Sequence, residues 1–358
     1  MNRRWICSDV WLNILPFFDY AQLGLTMALL SYRFDVLVDK HFDGKTEFTI
    51  LRQIIICKDK ASKPKLSVLI DGTFVEFPLP DRPLPNKIRF NDIRIDYIDH
   101  SVITFFRSNK HIWDRIGTKL ALFVPSDNPT DVQPIWDIFV RQIWPAFATN
   151  IRHLGFPNAN HLNALLHLTS PTILTDLNRL NSILSGSLCP GTIRDDFDQP
   201  NTIISAGQTL AKWLHVPRKD GLQKWLTCYE LMASTNVEWV DNFKQLFVHA
   251  RTSVSYTVHF YLHVETSPIV PFELENERTN EKMTLEKVSH YGGGEWLLKR
   301  CPIIGEKNDE NSDANLNSVL LYLNDFQNAI GPLSPPADKS DENVCSSAAG
   351  PSSDQPNE

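Results

Sequence analysis

Apolar positions in the first 43 residues recur at helical spacing and are broken by short polar residues suited to helix starts. Val10, Leu12, Ile14, Leu15 and Phe18 form a first series behind Ser8 or Asp9, either of which can accept from the orphan amides of a first turn. Pro16 lies inside that series and removes a backbone donor, so the first helix should be kinked or shortened. Asp19 predicts a cap for a second helix from Tyr20. Ser31 predicts a third through "YRFDVLVDKHF", where Phe34, Leu37 and Val38 stand at i, i+3 and i+4. Helices this short cannot bury so much apolar surface on one another. Either the rest of the chain or a partner must cover it.

From residue 48 the period changes. "FTILRQIIICK" and "KLSVLIDGTFVEF" read as strands, with Asp71-Gly72 as a hairpin turn. In "KIRFNDIRIDYID", Ile93, Ile95 and Tyr97 alternate with Asp92, Arg94 and Asp96. Helical "HSVITFFRSNKHIW" follows, then strand-like "KLALFV". "PIWDIFVRQIW" reads as a helix with Pro134 in its first turn, where its missing amide costs nothing. "IRHLGF" and the region Leu177 to Leu184 read as strands. "AGQTLAKWLHV" is helical, "KWLTCYEL" a strand, "VEWVDNFKQLFVHA" a helix and "SVSYTVHFYLHV" a strand. Strands therefore begin near residues 93, 119, 151, 180, 224 and 253. This spacing suits irregular, degenerate leucine-rich-repeat-like strand–helix units, with a compact mixed-sheet domain as the alternative. An antiparallel meander over about 267–303 should pack on the last unit, with turns at Thr279–Lys282 and Gly292–Gly294. The expected fold class is α+β: a helical module at 1–45 and a body at 46–303.

After Ile304 a polar linker leads into an amphipathic helix candidate. Leu316, Val319, Leu320, Leu323, Phe326 and Ile330 lie on one side of it. It reads as packed on the body or as a partner-binding helix. From 331 to 358 the composition of Pro, Ser, Asp and Ala predicts disorder.

Composition narrows the classes further. The 358 residues are 42% hydrophobic and 22% charged, with net charge -7, which offers no basic field for nucleic acid or anionic lipid. Mean hydropathy is -0.23 and the pI about 5.9. Cys7, Cys57, Cys189, Cys228, Cys301 and Cys345 are scattered without a CxxC pair, as for buried free thiols. The triplet at Asn128 is disqualified for glycosylation by its proline. Both features point to a reducing, intracellular setting, cytoplasmic or nuclear.

The apolar N-terminus behind Arg3 and Arg4 superficially suggests a signal or anchor. A signal peptide needs an unbroken apolar run of about 7–15 residues, but Asp9 and Asp19 interrupt this one. Tyr20 to Tyr32 contains only 13 residues, with Gln22, Thr26 and Ser31 among them, against the roughly 20 a spanning helix needs. A tethered or secreted binding protein is the least favoured of three readings.

The same stretch resembles an F-box, the helical module that recruits the Skp adaptor of cullin-based ubiquitin ligases. Ile6 and Cys7 stand where that pattern has Leu-Pro. Asp9 matches its acid, Phe18-Asp19 its Leu-Asp step, and Leu30-Ser31-Tyr32-Arg33-Phe34 its closing element. The Leu-Pro start is absent, and one extra residue lies between Leu23 and Ser31. The wording "QLGLTMALLSYRFDVLVDKHF" is similar to F-box families expanded in nematodes, and "LAKWLHVPRKDGL" and the meander also resemble segments of those families. The resemblance implies a non-catalytic substrate receptor, with partners in the Skp adaptor, the cullin scaffold behind it and a target protein held by the body. It implies adaptor contacts at Ile6, Cys7, Asp9, Val10, Leu15, Leu23, Leu29, Leu30, Ser31 and Phe34. The alternative is a repeat-like interaction scaffold whose N-terminal helices are only a cap.

No catalytic or metal constellation emerges, and no cofactor is expected. His259 and His263 are four apart, but "TVHFYLHV" alternates as a strand, which separates the imidazoles by about 13 Å, too far for one ion. On an exposed strand face they read as surface or partner contacts. "YGGGEW" lacks the Lys-Ser/Thr of a phosphate loop, and Ser185 to Gly191 does not fit a nucleophile elbow. "VPRKDG" reads as a helix stop and a solvated turn. Cys189 and Cys228 have no visible activating partner.

Overall fold

A computed structural model describes residues 6–43, 49–85, 88–113, 117–123, 129–186, 190–191, 205–231, 238–262, 269–288 and 294–303. The chain divides into a unit ending at Ile304 and a second from Gly305 to Glu358. The expected C-terminal helix and tail, Cys189, Cys345, His263, Gly292 and Gly293 lie outside the described residues.

The fold is α+β. Four helical pieces, α1 (Ser8–Ile14), α2 (Tyr20–Gln22), α3 (Ala28–Leu30) and α4 (Tyr32–Asp43), precede a twelve-stranded sheet. Strand β1 (Thr49–Lys58) leads into an antiparallel hairpin, β2 (Pro64–Ile70) and β3 (Thr73–Pro78). Asp71 and Gly72 both have positive φ, +48° and +80°, the conformation of the tight hairpin turn predicted there. Then come β4 (Ile88–Ile95), β5 (Thr118–Leu122), β6 (Ile151–Phe156), β7 (Ser182–Ser185), β8 (Lys224–Leu231) and β9 (Tyr256–Leu262). These six are parallel to β1 and lie side by side in chain order. The meander β10 (Phe272–Asn276), β11 (Glu281–Lys287) and β12 (Gly294–Pro302) joins through β12 against β9.

Chain-order neighbours require crossovers of one hand, which places their helices on one face. The crossover helices are α5 (His100–Ser108), α6 (Lys110–Trp113), α7 (Pro129–Gln142), α8 (Ala159–Leu168), α9 (Ile173–Asp176), α10 (Ala206–His215) and α11 (Glu238–Val248). Their aromatic side chains meet the strands: Trp113 stacks on Phe90, Trp136 on Phe156, and Trp239 meets Phe260 edge-on. On that face one line of paired residues crosses the whole sheet. It runs Val75, Val68, Ile54, Ile93, Leu120, Leu154, Ile183, Leu226, Val258, Leu298, Leu285 and Phe272. All but the two terminal members are buried.

Caps place the helices. Asp99 Oδ1 accepts from Val102 N at 2.9 Å, and Asn158 Oδ1 from Asn160 N at 3.0 Å. Ser205 and Gln208 form a reciprocal capping box at the start of α10. The expected helix 100–113 is two helices, because buried Asn109 turns its side chain to Phe105 O and to Leu84 N. Helix α7 begins at Pro129, so Pro134 lies inside the helix rather than in its first turn. Residues 177–181 are turn, and only 182–185 form the strand. Helix α8 was not expected from the sequence, although Leu162, Leu165 and Leu166 stand at i, i+3 and i+4 behind a cap at Asn158. Among the described thiols Cys228 is buried, Cys7 is exposed, and Cys57 and Cys301 are half-buried, none in a disulfide.

Where the meander meets the last helical unit, Glu281 and Arg300 pair at 2.6 Å, both fully buried. Glu281 also accepts from Val254 N and Ser253 Oγ, and Arg300 donates to Thr252 O. Glu281→Ala strands a buried guanidinium, so an unfolding free energy about 3–5 kcal/mol lower is expected by urea denaturation. Glu281→Gln, which keeps the acceptor, should lose less. Burial lowers the pKa of His161 from 6.5 to about 4, and its Nδ1 accepts from Trp136 Nε1 at 3.2 Å. The unfolded chain therefore binds a proton near pH 6.5 that the native state refuses, and stability should fall as pH drops from 6.5 towards 4. His161→Asn should make that part of a urea-midpoint pH series shallower without abolishing it, because burial also lowers His215 to about 4 and His153 to about 3.

Candidate docking surfaces

Helix α1 starts at Ser8 with Cys7 at the cap position and no side-chain cap. Neither Ser8 nor Asp9 is therefore the cap; Asp9 sits in the first turn, where its charge faces the positive helix end. Pro16 stops α1 at Ile14 and turns the chain through a short 3₁₀ segment, Leu15–Phe17. Asp19 Oδ1 accepts from Gln22 N at 2.7 Å, the expected cap of the second helix. Ser31 Oγ faces Phe34 N at 3.4 Å, and its carbonyl accepts from Asp35 N. Between α2 and α3 the chain forms a π-turn, Leu23–Met27. A π-turn is how a helix carries one surplus residue with both ends held.

The module is tied together and to the sheet. Arg33 Nη2 donates to Ile6 O at 2.5 Å, and Trp11 packs edge-on against Phe34 with centroids 4.9 Å apart. Gly24 lies against β4; a Cβ there would come within 1.8 Å of Ile88 Cδ1. Leu15, Leu23, Leu25, Leu37, Val38 and Phe42 belong to the same core as the strands.

This divides the ten residues that the resemblance pointed to. Leu15 and Leu23 are completely buried in the continuous apolar core, so neither offers surface to a partner in this structure. Leu29, Ser31 and Phe34 are half-buried, Ser31 as a cap and Phe34 under Trp11. Cys7 and Asp9 are exposed. Ile6, Val10 and Leu30 are large apolar side chains left 48%, 45% and 60% exposed. Phe17, Tyr32 and Val36 on the same module are exposed too. Sequence reading passed over them, although Pro16 was a signal that the chain leaves helical geometry just before Phe17.

Beside this surface is a cavity of about 350 Å³, bounded by Leu29, Tyr32, Asp35 and Asp39 on one side and by Arg82 to Pro85 with His111 on the other. Burial raises the pKa of Asp35, against the opposing pull of Arg82. Burial also raises Asp39, reinforced by the charges of Asp35 and Asp43.

The sheet face opposite the apolar line is not an open surface. There Arg94, Ala121, Gly155, Leu184, Thr227, His259 and Leu297 stand side by side; Ala121, Gly155, Thr227 and His259 are buried and the rest half-buried. His259 is not the surface residue that strand alternation suggested. It is buried, with Nε2 2.6 Å from Glu295 Oε1, which Tyr261 Oη also approaches at 3.1 Å. Among the described residues no group of three or more His, Cys, Asp or Glu could hold a metal ion. Lys224, lowered to about 7 by burial and by Arg218, faces the core and donates to Trp213 O and Val216 O at the end of α10. That is a helix stop. Arg218 likewise binds Leu180 O and Asp220, so the "VPRKDG" turn is anchored rather than merely solvated.

Gly24→Val should push the helical module off β4 and cost about 1–3 kcal/mol of stability through overpacking, checked by urea denaturation. Among the described residues no helix is long and apolar enough to cross a membrane. Comparison with known family models, with curated proteins and with solved structures finds no match to this chain.

Proposed function

We propose that the chain is a non-catalytic substrate receptor of a cullin-based ubiquitin ligase, acting in the cytoplasm or nucleus. The N-terminal helices dock the Skp adaptor and the body holds a target protein. The observation that carries this reading is the division of the module's apolar residues. Leu15, Leu23 and Val38 are buried in the core that the module shares with the body, while Ile6, Val10 and Leu30 remain exposed within some 40 residues. A helical cap would be expected to turn its apolar side chains inward; an adaptor-docking module keeps a set outward. The order of Asp9, Phe18-Asp19 and Leu30 to Phe34 along the chain supports the same reading.

The receptor would act by proximity. Holding the target beside a charged ubiquitin-conjugating enzyme makes their encounter intramolecular and raises its effective concentration. No side chain of this chain needs to take part in the chemistry. The competing reading, an interaction scaffold unconnected with ubiquitin, draws on the buried half of the module and on Gly24 against Ile88.

Surface substitutions separate the two. Removing residues 1–45 would also remove Leu23, Leu25 and Val38 from the core, so point changes at exposed positions are the cleaner test. Leu30→Asp and Val10→Asp should each weaken capture of purified Skp adaptor by at least tenfold with the unfolding midpoint unchanged, since each removes apolar contact worth about 1.5–3 kcal/mol. No adaptor capture by the intact chain, or undiminished capture by both variants, would overturn the proposal.

A further inference from the structure

The acidic net charge of the chain hides an uneven distribution. Residues 305–358 hold ten Asp and Glu against two Lys, whereas residues 1–304 hold 32 acids against 33 Lys and Arg. Within the sheet unit, five exposed cations fall on one rim, the edge formed by the N-terminal ends of the parallel strands. Arg152 lies at the start of β6, Arg179 in the turn before β7, Lys219 before β8 and Arg251 before β9. Arg278 lies in the turn joining β10 to β11. That turn reaches the same rim because Glu281 pairs with Pro302 at the end of β12, and Arg300 of β12 pairs with Tyr256 at the start of β9.

None of the five has an ion-pair partner among the described residues. Arg179 donates to the neutral Asn150 Oδ1. The nearby acids do not neutralise the row: Asp220 is committed to Arg218, and Glu281 to Arg300. Asp176, which accepts from the neutral Thr172 hydroxyl, and exposed Glu277 beside Arg278 keep their charges, so the row retains an excess of three cations.

Adjacent strands stand about 4.8 Å apart, so β6 to β11 spans roughly 25 Å. A peptide of about eight residues in extended form covers that length. The strands from β6 to β9 that carry four of the cations are spaced within a Debye length of about 8 Å at physiological salt, and the Arg278 turn lies two strands, about 10 Å, beyond β9, so their potentials overlap along the row. Apolar side chains are interleaved with them. Leu222 is 60% exposed in the turn before β8, and Ile303, exposed at the end of β12, donates its amide to Asn280 O. A nucleic-acid backbone would leave those apolar groups unmatched. An acidic protein segment with intervening apolar residues would match both.

We infer that this rim is a docking surface for an extended acidic peptide segment of a protein partner, with carboxylates meeting Arg152, Arg179, Lys219, Arg251 and Arg278, and apolar side chains meeting Leu222 and Ile303. The surface lies apart from the helical module, so it stands or falls independently of adaptor docking.

The test uses the full chain and a fluorescein-labelled peptide of about twelve residues alternating Glu and Leu, followed by anisotropy at two ionic strengths. Saturable binding that weakens with salt is expected. Arg251→Glu combined with Arg278→Glu should weaken it at least tenfold, while Arg251→Lys with Arg278→Lys should retain it. Lys60→Glu, in the exposed turn between β1 and β2, should leave it unchanged. Absence of saturable binding, an equal loss with Lys60→Glu, or full binding by the double Glu variant would overturn the inference. Equally tight binding of an oligothymidylate of matching charge would overturn the assignment to a peptide. The adaptor takes no part in this measurement, so its failure is distinguishable from failure of the receptor reading.

Discussion

The structure depends on one line of apolar side chains, Val75 through Ile54, Leu154 and Val258 to Phe272, which joins all twelve strands on a single face. No strand of four to ten residues is stable alone, and each parallel strand can bury its apolar member only when a helix covers it and neighbours flank it. The line thereby couples local register to the whole sheet. A one-residue slip in any strand would put a polar residue such as Asp92 or His153 under the helices. Aromatic residues from the crossovers, Trp113, Trp136 and Trp239 among them, fill the layer above.

The ends of such a sheet need separate solutions. At one end the β2–β3 hairpin extends β1; at the other the β10–β11–β12 meander extends β9 and is pinned by the buried Glu281–Arg300 pair. The helical module meets the sheet near the first of these ends, through Gly24 on Ile88. This junction is what gives the module two characters. The side chains that reach β4 become core, and those on the far side remain available to a partner. The parallel topology also aligns the pre-strand turns on one rim, which is why cations distant in sequence stand in a row.

Elements with local chemical signals were legible. Asp71-Gly72 specified its turn, and Asp19 and Ser31 marked helix starts. The alternation of Ile93 and Ile95 with Asp92 and Arg94 gave the correct faces of β4. Where several weak signals competed, reading was less successful. Asn109 broke an otherwise continuous helix because Leu84 N needed its side chain, a contact 25 residues away in sequence. Helix α8 carried the i, i+3, i+4 spacing of Leu162, Leu165 and Leu166, which it buries, but His161 and Asn163 among them obscured it.

The candidate surfaces were only half legible, and the residues show why. Sequence alone determined that residues 6–43 would be short capped helices with more apolar surface than they could hide, that the body would alternate strand and helix, and that the chain would end that unit in a meander. Those outcomes follow from spacing, caps and turn residues, all of which act within a few positions. Tertiary structure decided that Leu23 is interior and Leu30 is not, that His259 is buried against Glu295, and that five scattered cations share one rim. Burial is a property of what lies opposite a side chain, and what lies opposite is set by strand order and packing between residues far apart in the chain.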